Sequence, residues 1–247
     1  MTSLSANGLG VAGRLADVTL SLQSAQVTAI CGPNGAGKST LLSCLAGLLI
    51  PDAGTVTLEG QPLAAMKPAQ RAKALGYLPQ TPEVAWDLSV ETLVSLGRLP
   101  WRGAPAVEAQ AAIDEAIAAM DLEQFRHRPV SRLSGGERAR ALMARVLATR
   151  PRWLLADEPL ANLDLAHAGA LVRRFHEQAA QGRGVVLVLH DLATAMNHAD
   201  RVVVLSEGRV VADGAPESAL SSDVIAEVWK TPARWLGEPG ARALSLG

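Results

Sequence analysis

The 247-residue chain reads as an α/β protein with a mostly parallel sheet, and three observations lead there. First, the runs VTAIC (Val27 to Cys31), WLLAD (Trp153 to Asp157) and VVLVLH (Val185 to His190) are apolar at nearly every position. Continuous apolar runs, rather than alternating ones, suit strands covered on both faces. Second, helical patterns separate these runs, as parallel strands require. Third, the length is enough to bury a real core in one large domain with an inserted part.

In chain order, VTAIC leads into a glycine-rich loop and then the helical pattern STLLSCLAGLL. A Pro-Asp-Ala-Gly turn at Pro51 to Gly54 precedes the strand TVTLEG. Between about Pro82 and Arg150 the strand signal disappears. VEAQAAIDEAIAAMDL (Val107 to Leu122) is alanine-rich with apolar residues at helical spacing, and LPWRGAP (Leu99 to Pro105) reads as a loop. Residues 82–150 are therefore expected to form an inserted helical subdomain within a single domain spanning 1–247. After WLLAD and VVLVLH, RVVVLSEGRVV reads as two strands around the Glu207-Gly208 turn.

Hydrophobic residues make up 49% of the chain, yet no apolar run reaches the roughly 18 residues of a membrane span. A soluble protein is expected, and the start MTSLSANGLG has no basic, then apolar, secretory leader. A net charge of −1 gives no electrostatic reason to expect a nucleic-acid partner. The only two cysteines, Cys31 and Cys44, are expected to be buried small hydrophobes rather than a disulfide or metal site.

Chemistry concentrates in a few stretches. Gly32 to Ser39 spells GPNGAGKS, the P-loop pattern, after a strand and before a helix. Its glycines let the backbone wrap a phosphate, and the helix N-terminus favours an anion there. Lys38 is placed to reach the β- and γ-phosphates and Ser39 to ligate magnesium. Asp157 ends WLLAD beside that loop, where a carboxylate can hold the metal. Glu158 follows as the candidate general base for an attacking water. Gln80, after GYLP, and His190, closing VVLVLH, are two further polar residues at strand ends, where parallel sheets keep their sites. His127, His167, His176 and His198 are given no role beyond solvation or structure.

A second glycine pair stands in RLSGGERARALMARVL (Arg132 to Leu147). Ser134 and Glu137 have capping-box spacing, so by itself the segment is only a good helix start. The ordered set of P-loop, Gln80, LSGGE, LLADEP, ANLD and His190 resembles the nucleotide-binding subunit of ATP-binding cassette (ABC) transporters over essentially the whole chain. The resemblance implies an ABC cassette fold: a mostly parallel sheet, an antiparallel β portion and an inserted helical subdomain carrying LSGGE. It implies ATP and Mg2+ as ligands, with Gly32, Pro33, Asn34, Gly35, Ala36, Gly37, Lys38, Ser39 and Thr40 around the phosphates. Ser39, Gln80 and Asp157 would hold the metal, and Glu158, His190, Gln80 and Lys38 would serve catalysis. Ser134, Gly135 and Gly136 would complete the site of a second, head-to-tail copy, with Asp164 coupling the two sites.

Three positions depart from the family's pattern. No aromatic residue precedes Tyr77 to stack on adenine; Arg14 can offer a guanidinium instead, and a modest ATP-over-GTP preference is expected. Glu137 stands where glutamine is common, which the capping box explains. Ala161 replaces the serine usual before Asn-Leu-Asp.

The further partners implied are a separate transmembrane permease and, indirectly, a periplasmic substrate-binding protein, placing the chain at the cytoplasmic face of the inner membrane. TPEVAWDLSVETLVSLGRLP is the implied permease-facing stretch, with Trp86 as its aromatic candidate. VSLGRLP and the tail from Gly214 resemble importers of metal chelates (iron-siderophore, haem, cobalamin); another cargo or export is the alternative. A soluble ABC ATPase of translation or DNA repair fits poorly, because one cassette and no heptad run are present. A small-molecule kinase is disfavoured by LSGGE and Glu158.

Overall fold

A six-stranded sheet organises the molecule, and its alternate residues feed two different apolar cores. The computed structural model describes residues 2–80, 87–161 and 163–247; Trp86, Asn162 and the rest of 81–86 lie outside them. The chain opens with β1 (Ser3–Val11), β2 (Leu15–Gln23) and β3 (Gln26–Cys31), then α1 (Lys38–Leu45), β4 (Ala53–Leu58) and β5 (Gln61–Pro62). Next come α2 (Pro68–Ala74), β6 (Leu75–Leu78), α3 (Val90–Ser95), α4 (Ala106–Ala119) and α5 (Gly135–Ala148). The remainder is β7 (Trp153–Asp157), α6 (Leu165–Ala180), β8 (Gly184–Val188), α7 (Leu192–His198), β9 (Arg201–Ser206), β10 (Arg209–Gly214), α8 (Pro216–Ala219), α9 (Ser222–Trp229), β11 (Ala233–Leu236) and β12 (Ala243–Leu246).

The main sheet runs β10-β9-β3-β8-β7-β6, parallel except for β10 at one edge. A separate antiparallel sheet has the order β2-β1-β4-β5, and β11 and β12 form a hairpin. On β8, Val185 and Leu187 point into one core with α3 to α7, while Val186 and Val188 point into the other with α1 and the antiparallel sheet. Both faces are thus covered, which is why β3, β7 and β8 are apolar throughout. Each fully buried Val or Leu contributes about 1.5–3 kcal/mol.

Trp153 and Gly184 lie opposite each other on β7 and β8, and a Cβ on Gly184 would stand 2.2 Å from the indole. Glycine lets Trp153 lie across the neighbouring strand fully buried. Cys31 and Cys44 are free and buried; burial pushes the Cys31 thiol up to about 12 and Cys44 to about 11.

LPWRGAP is less loop-like than its composition indicates, because a 3-10 helix runs from Leu96 to Trp101. It closes the C-terminal end of α5, whose last carbonyls lack intrahelical partners. Arg98 donates to Ala148 O at 2.9 Å and Trp101 Nε1 to Thr149 O at 2.8 Å. Lys73 of α2 lies 4.2 Å from the centre of the Trp101 ring, joining this segment to the sheet side. Within the helical region, Arg126 pairs with Glu91 of α3 and Asp114 of α4, both at 2.7 Å.

Candidate functional site

Strand order assembles the site. The P-loop follows β3, and His190, Glu158 and Gln80 follow β8, β7 and β6, which are successive neighbours in the sheet. All four therefore stand in a row at the carboxyl edge of parallel strands, where crossover connections leave a crevice. An open cavity of about 420 Å3 lies there, lined by Arg14, Asn34, Gly35, Ala36, Gly37, Lys38, Ser39, Thr40, Gln80, Glu158 and His190. Residues far apart in sequence are brought together there.

The P-loop conformation depends on Gly37, which caps α1 with φ +98°, a left-handed backbone. A Cβ there would also sit 2.6 Å from the Arg14 carbonyl oxygen. The β1–β2 turn is packed directly on the loop by this contact, which places Arg14 at the cavity. Lys38 is buried; its Nζ donates to Gly32 O at 2.8 Å and Pro33 O at 2.9 Å. Burial lowers its pKa, opposed by the charge of Glu158.

Asp157 is buried at the end of β7, and its Oδ1 has no hydrogen-bond partner. Burial raises its pKa, the neighbouring Ser39 hydroxyl pulls it back down, and the charge of Glu158 pushes it up again. The carboxylate ends β7 next to Ser39 and Lys38 of the P-loop, with one oxygen unpartnered.

Glu158 adopts φ +49°, left-handed backbone that costs a non-glycine residue about 1–2 kcal/mol. The turn carries its side chain between two strand ends. Gln80 Nε2 donates to Oε2 at 2.7 Å, and His190 Nε2 hydrogen-bonds Oε1. Both carboxylate oxygens are thereby fixed, which orients a base better than burial alone.

The second glycine device is a helix cap. Ser134 Oγ accepts from Glu137 N at 3.3 Å, and Glu137 Oε2 accepts from Ser134 N at 2.8 Å, the reciprocal box the spacing predicts. This bond uses the Ser134 hydroxyl oxygen as an acceptor. Among the described residues, Ser134, Gly135, Gly136 and Asp164 do not line the P-loop cavity. Gly135 instead meets Gln80, Asp157 and Glu158 around a smaller cavity of about 150 Å3.

Asp164 caps α6, accepting from His167 N at 2.8 Å. His167, given no role by the sequence, touches both Asp164 and Gly136. Its spacing of three residues after a helix-capping aspartate is the one sequence signal that points to it.

A P-loop at a helix start, a buried strand-end aspartate and a clamped glutamate define a nucleoside-triphosphate-hydrolysing enzyme. The model of the ABC transporter family matches residues 15–161, more than half of the chain, and the chain belongs to that family as one of its ATP-hydrolysing subunits. It is 44% identical over 234 residues to the hemin import ATP-binding protein HmuV of Nocardia farcinica (strain IFM 10152), covering 94% of this chain and 81% of that one. Its fold matches a solved chain of a transporter classed as metal-chelate type, in an inward-facing conformation, with a TM-score of 0.85 at 23% identity, covering 100% of this chain and 97% of that one. It also matches the ATP-binding cassette MJ0796, a dimer bound to ADP and Pi, with a TM-score of 0.77 at 25% identity over 86% of this chain and 98% of that one.

Proposed function

We propose that the chain is the ATP-hydrolysing motor of a membrane importer for a metal chelate, haem being the first candidate cargo. The observation that carries this reading is the Gln80–Glu158–His190 clamp over a P-loop in a chain 44% identical to a hemin import ATP-binding protein. Residues 1–247 act as one ABC ATPase domain, with 82–150 as its inserted helical subdomain.

The residues present suit Mg2+. Ser39 Oγ, the Gln80 amide oxygen and Asp157, with its unpartnered buried Oδ1, form an all-oxygen donor set of the kind a hard cation takes. When bound, the ion supplies charge that offsets the phosphate oxygens. Lys38 holds the β- and γ-phosphates, together with the backbone N–H groups of the loop from Asn34 to Thr40. Glu158 takes a proton from a water whose oxygen bonds to the γ-phosphorus as the bond to the β-phosphate oxygen breaks, leaving ADP and inorganic phosphate. Gln80 and His190 hold that carboxylate in line. Arg14, at the cavity, is the base-facing residue, so discrimination between ATP and GTP is modest.

A second copy supplies Ser134, Gly135 and Gly136 to the γ-phosphate, and Asp164 links the two sites. Closure is favoured because the ligand touches both halves only when they are together. The moving halves drive a permease at the cytoplasmic face of the inner membrane, fed by a periplasmic binding protein. No helix among the described residues is long and apolar enough to cross a membrane, which suits a subunit held there by its partner. Leu48 and Ile50 are exposed beside a cavity of about 390 Å3 that they share with Leu63 and with Arg71 of α2. The helix α2 also packs against the 3-10 segment bearing exposed Leu99. These apolar side chains suit a permease helix.

The first test is copurification of the tagged chain from membranes of its native host. A multi-span permease, with a periplasmic binding protein encoded beside it, is the expected result. Recovery of only ribosomal or DNA-associated partners would remove the transport role and leave the ATPase standing.

A further inference from the structure

One side chain joins two groups that the proposed dimer uses, the exposed Asp164 and the buried Gly136. His167 lies in the first turn of α6, and its Nδ1 is 2.7 Å from Asp164 Oδ1. Asp164 is held below the usual carboxylate range by the His167 backbone and side-chain bonds, so it accepts and the Nδ1–H donates. The ring also lies against α5, at its Cγ, Cδ2 and Nδ1 atoms. A Cβ added to Gly136 would stand 2.5 Å from His167 Cγ and Cδ2 and 3.0 Å from Nδ1. An imidazole is rigid, so glycine at 136 is what lets α5 approach the ring this closely.

From this geometry we infer that His167 is a positioning residue that locks Asp164 and Gly136 in one register. This rests on the two-copy reading above, in which both groups act on the partner's site. The bond to Asp164 alone would be an ordinary first-turn helix contact of small effect. The close contact with Gly136 is what that explanation leaves out. Asp164 is exposed and Leu165 beside it is 94% exposed, so this corner faces outward, while Gly136 is buried under the ring. Movement of Asp164 by a partner is therefore transmitted through the ring to the start of α5, and the reverse. Glycine at 136 has a second reason to be there besides phosphate approach.

The test compares His167→Ala and His167→Asn, each alone and combined with Glu158→Gln, which removes the base and retains nucleotide. Asparagine keeps an N–H donor close to the position of Nδ1. His167→Ala is expected to lower kcat about tenfold with KM for ATP within about twofold, and His167→Asn to recover most of that loss. In the Glu158→Gln background, size-exclusion chromatography should show that His167→Ala needs about tenfold more MgATP to dimerise. If Glu158→Gln dimerises with MgATP and His167→Ala changes neither kcat nor that dependence, the positioning role is overturned. The same holds if kcat falls only in step with the Tm of the nucleotide-free chain and asparagine gives no rescue. If Glu158→Gln never dimerises with MgATP, the two-copy reading itself fails, and this inference with it.

Discussion

The P-loop cavity and the Ser134–Asp164 corner are both glycine-bearing helix starts, yet they are built in opposite ways. The cavity is lined by a buried lysine and a glutamate fixed at both oxygens, with a buried aspartate ending the neighbouring strand. At the other corner Ser134, Gly135 and Asp164 are exposed, and Leu165 beside them is exposed almost completely. The first set of charges is buried against its own chain. A site that works on another molecule keeps its donors satisfied just enough to hold their shape and leaves the rest outward. In the two-copy reading proposed above, the first half is what the chain completes and the second what it lends.

The largest expected effect tests the self-contained half. Glu158→Gln should reduce ATP turnover by about 10²–10⁴-fold while ATP still binds, measured by phosphate release and by nucleotide titration. Turnover within tenfold of the parent would show that the clamp does not hold the base.

Asp157→Asn probes the same half with two signs at once. MgATP turnover should fall by about 10²-fold or more, while the nucleotide-free chain should gain stability, read as a rise in Tm. The gain follows from a folded-state pKa raised by burial above the ordinary carboxylate value, so the ionised carboxylate costs stability at neutral pH. That cost disappears as pH falls through the raised value towards the ordinary one, and the advantage of the variant in calorimetry should shrink over the same interval.

Glu137→Ala acts on the lending half. Losing one side of the capping box should cost about 1 kcal/mol, or about 2–4 °C in Tm. Hydrogen bonds to the Ser134 backbone and side chain hold Glu137 below its ordinary pKa, so its contribution is present above the unfolded value and lost as pH falls through the lower folded one. An unchanged melting curve at pH 7 would mean the box is not needed to shape that end of α5.

Ala161→Ser is the smallest step, and should raise ATP turnover about twofold by restoring a hydroxyl able to bond across the dimer. A rate equal to the parent's would make position 161 silent.

Much of this contrast was legible in the chain before any coordinates. Strands β3, β7 and β8 announce themselves because both of their faces are covered, and the P-loop does so because few sequences satisfy its spacing. Strands β1 and β2 were not read, because glycines and polar residues interrupt β1 and bulges break their pairing register. The β11–β12 hairpin is half exposed and carries too weak an apolar pattern. Gln80, Glu158 and His190 were each named from local position. Their mutual hydrogen bonds depend on β6, β7 and β8 being neighbours, which no local pattern states. His167 was set aside because its meaning lies in a glycine 31 positions earlier in the chain.

Trp153 and Gly184 carry a consequence of a different kind. Directly paired across two parallel strands, they divide one fixed volume between an indole and a hydrogen atom. Neither position can drift alone: a methyl at 184 collides with the ring, and a smaller residue at 153 leaves a void beside the glycine. Among descendants of this chain the two sites should covary, exchanging bulk across the strand pair in coupled steps, and libraries that randomise one site with the other fixed will return almost only the parent residue.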